Sequence, residues 1–177
     1  MLAAALYAML QPAGAQESRE FTSQGLPGSE GVVVRVSHPS HWRKVEVDDE
    51  MALAELRGTR GRLTGILQVG RGRLRHDMAS ACAPERARTM LQNLAAEDAD
   101  ARVTEVFARQ HEGRAAYEVR YERRHPPAFM AVRSLIVCLK DSRLVISCGA
   151  LGPSKPALAE MEPVCRQVLE SVRVSKD

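Results

Sequence analysis

The chain has 177 residues, 45% of them apolar, and carries 25 basic against 22 acidic side chains for a net charge of +3. That length supports one globular domain whose core needs no metal to hold it together. So small a basic excess implies no nucleic-acid partner.

Residues 1–15, "MLAAALYAMLQPAGA", carry no charge, run apolar to Leu10 and finish in small residues at Ala13 and Ala15. This is the pattern a signal peptidase reads, with cleavage expected after Ala15, although the usual basic start is missing. A membrane span needs roughly 20 apolar residues. Gln11 and Pro12 end the run well short of that, so no transmembrane segment is expected. A secreted or periplasmic location follows. Residues 16–30 are polar and rich in Gly, Pro and Ser, and read as a flexible linker. The domain is expected over residues 31–175.

"GVVVRV" at 31–36 is β-branched and reads as a strand, closed by Pro39, and "WRKVEV" from Trp42 reads as a second. "ALAELRG" and "RLTGILQVGRG" form a hairpin around Gly58 to Gly61. From Pro84 the period changes: Ala87, Met90, Leu91 and Leu94 mark one face of an amphipathic helix to about Glu97. Period two returns in "RVTEVFARQ" and "AAYEVRYER". In the latter the face bearing Glu118, Arg120 and Glu122 should be wet. "FMAVRSLIVCL" and "RLVISCGA" are apolar on both faces, as mid-sheet strands are, and "KDSR" joins them. From Pro156 a closing helix places Leu158, Met161, Cys165, Val168, Leu169 and Val172 on one face, and Pro163 should kink or restart it. Strands, helix, four strands, helix: the order gives an α+β domain, an antiparallel sheet with helices packed on it.

The four cysteines, Cys82, Cys138, Cys148 and Cys165, form an even set without a C-x-x-C pair, which in an exported chain favours disulfides over a metal site. If the hairpin closes with Lys140 opposite Arg143, Cys138 faces Val145 and Cys148 faces Leu135. The two sulfurs then lie on opposite faces of the sheet. Cys148 should bond Cys165 on the buried stripe of the closing helix, for about 3 kcal/mol in the chain-entropy model. That leaves Cys82 for Cys138. The alternative is four free thiols buried as small hydrophobes.

The short strand running into "HPSHW" resembles the Pro-x-x-Trp opening of PsbP-like domains, the fold shared by the extrinsic PsbP protein of photosystem II and the Mog-type Ran-binding proteins. "MLQNLAAE", "GRAAYEVRYE" and "VCRQVLESVRV" resemble that family's first helix, post-turn strand and closing helix. The resemblance spans about residues 31–175. It implies an α/β/α sandwich with helices on both faces of the sheet, and a non-enzymatic module whose members bind unrelated partners.

Three constellations bear on chemistry. His38 and His41 in "VSHPSHWRKV" could ligate a metal with help from Asp48, Asp49 or Glu50, but zinc wants three or four ligands in fixed geometry and a turn at Pro39 splays the rings. Scaffold anchored by Trp42 is the better reading. Arg57, Arg60, Arg62, Arg71, Arg73 and Arg75 would form an anion-binding patch if the hairpin gathers them. No aromatic residue lies between them to stack bases. His76, Asp77, Ser80 and Cys82 are close in sequence, but no nucleophile elbow frames them. The expectation is therefore a non-enzymatic exported accessory or binding domain without a cofactor, its partner an unknown protein or envelope component. A small metal-dependent or hydrolytic enzyme using His38, His41 or His76 is the alternative, and an anionic-lipid binder the third reading.

Overall fold

A computed structural model describes residues 17–73, 89, 100–125, 127–140 and 142–176. Among these residues ten strands form two antiparallel sheets. The first joins β1 (Ser18–Thr22), β2 (Val32–Pro39) and β10 (Arg173–Lys176) in the order β1-β2-β10. The second joins β3 (Arg43–Val45), β4 (Ala52–Arg60), β5 (Leu63–Arg73), β6 (Ala101–His111), β7 (Arg114–His125), β8 (Ala128–Cys138) and β9 (Ser142–Gly152) in the order β3-β4-β5-β9-β8-β7-β6. Two helices, α1 (Lys155–Ala159) and α2 (Glu162–Glu170), come from the closing segment. Their separation fits Pro163, which has no N–H to offer and occupies the first turn of α2.

One face of the large sheet carries the main core. Leu56, Leu67, Leu135, Val137, Leu144 and Ile146 meet Val34 and Val36 of β2 and Cys165, Val168 and Leu169 of α2, all buried. The small sheet and α2 thus form a common second layer. The apolar stripe foreseen on the closing segment is the one that docks. Leu158 of α1 seals the end of this layer against Leu63 and Ala150. The opposite face gathers Tyr117, Val119 and Ile136 around Cys138 and Val145.

The β8–β9 hairpin pairs Leu139 with Ser142 through a 2.8 Å hydrogen bond, and Cys138 lies opposite Arg143. Cys148 therefore faces Arg133 and not Leu135. The slip from the expected register is two residues, so every side chain keeps its face. Cys148 and Cys165 are joined, with Cα atoms 5.2 Å apart, tying the central strand to α2. Cys138 is also disulfide-bonded. The expected partner, Cys82, lies outside the described residues.

Three expectations are corrected. The described helices of the closing segment pack on one face only, so the sandwich with helices on both faces is not supported; of the helix expected from Pro84 to Glu97, only Thr89, which is helical, is among the described residues. The linker expected over 16–30 contains β1, a polar strand whose Phe21 alone reaches the core while its backbone pairs with β2. The charged face of β7 is only partly wet: Glu118 retains 13% side-chain exposure beneath the helical layer, while Arg120 and Glu122 stay half-buried.

Candidate functional site

Arg120 and Arg133 stand directly opposite each other across β7 and β8. Like charges in that position repel. Three carboxylates resolve the conflict. Glu118 accepts from Arg133 Nε, Glu105 of β6 lies 2.9 Å from Arg120 Nη1, and Glu162 reaches both, 2.6 Å from Arg133 and 3.6 Å from Arg120. Glu162 occupies the first turn of α2, where the helix dipole favours an acid. The same carboxylate that suits the helix end thus plugs it into the arginine pair. Arg133 is only 10% exposed, and a pair that dry costs several kcal/mol to break from one side. The chain of charges continues outward through Arg109, 3.1 Å from Glu118, and Arg166, 3.8 Å from Glu162.

Beside this network a cleft of about 380 Å³ opens between strands β6–β9 and the helices. Ala131, Ala150, Leu158 and Met161 contribute an apolar floor, to which the Cys148–Cys165 bridge adds. Thr104, Glu105, Glu122 and Lys155 contribute a polar rim, with Lys155 paired to Glu122. Glu105 Oε2 and Arg120 Nε are buried without hydrogen-bond geometry to any partner, although the two side chains form an ion pair. A groove with an apolar floor and a mixed-charge rim is suited to gripping a polar segment of another molecule.

The residues singled out from sequence fall elsewhere. Trp42 is 2% exposed and its indole lies on Gly58 and Gly65, where an added Cβ would come within 2.0 and 2.4 Å of the ring. The glycines exist to receive it. His38 is buried, its Nδ1 2.9 Å from the Pro39 carbonyl, and burial pushes its pKa down; His41 is exposed. Among the described residues no three His, Cys, Asp or Glu side chains are grouped as a metal site. Asp48, Asp49 and Glu50 lie beyond β3 and are exposed. His76, Asp77 and Ser80 lie outside the described residues.

The arginines are not gathered. Arg60 and Arg62 flank the tip of the β4–β5 hairpin, and Arg57 pairs with Glu55. Arg71 lies eight residues along β5 from the hairpin end, roughly 27 Å at strand rise. Its guanidinium is engaged with the Ser29 carbonyl at 2.7 Å, Ser142 Oγ at 3.2 Å and Glu30 at 3.0 Å. Arg73 ends β5, and Arg75 lies outside the described residues. The groove residues were missed because Glu105, Glu118, Arg120, Arg133 and Glu162 come from four elements. The one available signal was the charged alternation along β7.

No family model matches the chain, and no curated protein sequence matches it. Solved structures do. Cyanobacterial PsbP (CyanoP) from Synechocystis superposes with a TM-score of 0.58 at 13% identity, covering 93% of this chain and 96% of that one. LpqN, involved in cell envelope biogenesis of Mycobacterium tuberculosis, gives 0.54 at 14% identity over 89% and 91%. The Saccharomyces cerevisiae Ran-binding protein Mog1p gives 0.53 at 9% identity over 90% and 96%.

Proposed function

We propose, from a fold like that of PsbP and Mog1p shared at identities that carry architecture and not activity, that the chain is an exported accessory domain that acts by binding a protein partner, not by catalysis. The groove carries this reading: its charged side chains pair with one another across β6, β7, β8 and α2, and leave a shaped, mixed-charge rim above an apolar floor. Two similar structures lend support through their names, one a Ran-binding protein and one involved in envelope biogenesis. The buried Cys148–Cys165 bond supports an oxidising compartment, in keeping with residues 1–15 as an export signal cleaved after Ala15.

The test is site-specific photocrosslinking in envelope extract, with the crosslinker at Thr104 or Lys155 on the rim and, as control, at Arg62 on the distant hairpin tip. A discrete polypeptide captured from both rim positions and not from Arg62 is the expected outcome. Equal labelling from all three positions, or none, refutes groove binding. The N-terminus of the recovered chain reports export independently, at Gln16 if the signal is removed as expected.

A further inference from the structure

Of the two edges of the seven-stranded sheet, β3 and β6, the longer is β6, and it matches itself. Among the described residues no strand pairs with its outer side, and Phe107, Ala108, Arg109 and Gln110 are all exposed, Phe107 at 48%. Beyond the break in register at Thr104, β6 pairs regularly from Glu105 to His111, and an edge of that kind carrying an exposed aromatic is a template for another strand unless something blunts it.

The turn that ends β6 fixes which backbone groups point outward. Glu112 and Gly113 have φ of +50° and +75°, a two-residue hairpin loop in which the flanking pair His111 and Arg114 is hydrogen-bonded. Counting back by two, Arg109 and Phe107 also turn their N–H and C=O toward β7. Gln110, Ala108 and Val106 turn theirs outward. A second strand can bond only in a register that sets outward residues against outward residues.

We propose that β6 docks antiparallel against β6 of a second copy of this chain, about a two-fold axis at Phe107. In that register Val106 bonds Ala108 of the second copy, and Phe107 meets Phe107 as a non-hydrogen-bonded pair, where side chains approach most closely. On the same face Glu105 falls opposite Arg109, twice by symmetry. The alternative allowed registers, centred on Val106 or Ala108, set Glu105 against Phe107 or His111 and lose the charge match. The ion pairs already present extend across the junction: Arg120 holds Glu105, Glu118 holds Arg109, and the two pairs join end to end. Phe107, with the Arg120 guanidinium 6.0 Å from its ring centroid, loses its exposed face to its symmetry mate. An isologous contact of this kind closes after two copies and leaves a continuous sheet.

Sedimentation velocity on the full disulfide-bonded chain over about a hundredfold concentration range reads the association. The expected result is a reversible dimer. Arg109→Glu and Glu105→Arg should each weaken it by about tenfold or more, whereas an equimolar mixture should restore it, because each variant supplies the charge that the other lacks. A wild-type chain that stays monomeric, a single variant that dimerises as well as wild type, or a mixture that fails to recover overturns the proposal. Should the charge variants not fold, Phe107→Cys decides. Peptide mapping should find a symmetric 107–107 disulfide, absent from Ala108→Cys, whose thiols would sit diagonally two residues apart. No 107–107 bond, or bonds formed equally at 108, overturns it.

Discussion

A methyl group placed under Trp42 should reverse the usual sign of a glycine replacement. In a strand interior, Gly→Ala ordinarily gains about 0.5–1 kcal/mol from the entropy lost by glycine on folding. At Gly58 the new Cβ would stand 2.0 Å from Trp42 Cδ1 and 2.7 Å from Nε1. Carbon atoms pack at about 3.5 Å, so the indole must retreat by about 1.5 Å. It has little room to do so, being 2% exposed and part of the main core. The other end of the ring rests on Gly65, beside Met161. Overpacking costs about 1–3 kcal/mol where the surroundings yield a little. Full expulsion of a tryptophan costs about 3–5 kcal/mol, which sets the ceiling. Gly58→Ala should therefore lose about 2–4 kcal/mol in urea unfolding. In a Trp42→Leu background the same change should cost under about 1 kcal/mol, a coupling of about 2 kcal/mol. Trp42 is the only tryptophan, so its emission reports the displacement directly, and a red shift is expected in Gly58→Ala. Unchanged emission with equal losses in both backgrounds would refute the wedge.

Removing the Cys148–Cys165 bond as the double alanine variant should cost about 3 kcal/mol for a separation of 17 residues, seen as a lower urea midpoint. A loss under about 1 kcal/mol would mean that the α2 docking holds without the crosslink. Arg71→Ala should cost about 1–3 kcal/mol and expose residues 24–31 to protease, and Arg71→Lys should rescue little, since a point charge cannot fork to Ser29, Ser142 and Glu30. Acid should weaken the fold through His111, which is buried on β6 with Nε2 lacking a partner. Burial, aided by Arg109, Arg173 and Arg114 against the pull of Glu112, holds its pKa below the ordinary 6.5. The neutral ring is thus favoured in the folded state. Stability is complete above about pH 6.5 and falls as the pH drops below it toward the folded pKa. His38 is displaced in the same direction, so His111→Leu should flatten part of the decline, and an unaltered pH slope would dismiss the assignment.

What the sequence made legible was whatever depends on parity. The β8–β9 hairpin closes two residues from the expected register, yet Cys138 and Cys148 still lie on opposite faces, because a shift by an even number leaves every side chain where it was. The same tolerance protected the stripe of the closing helix, whose period survives the break at Pro163. Elements that depend on a partner's position were not legible. β1 and β10 are short and polar, and the backbone of β2 alone makes them strands. Nothing in "SREFT" or "RVSK" announces that, since a peripheral strand needs neither face apolar.

The charged side of β7 shows why function was harder to read than fold. Alternation identifies which side chains share a face, and it identified Glu118, Arg120 and Glu122 as a set. Whether that face meets water depends on what packs across it. Here α2 arrives with Glu162 in its first turn and joins a network that β8 had made necessary by setting Arg133 opposite Arg120. Removing Glu162 would leave two guanidinium groups sharing the remaining acids, one of them, Arg133, almost dry. The helix layer and the charge chain therefore stabilise each other. The cleft between them owes its shape to a pairing conflict on the sheet that is resolved from outside it.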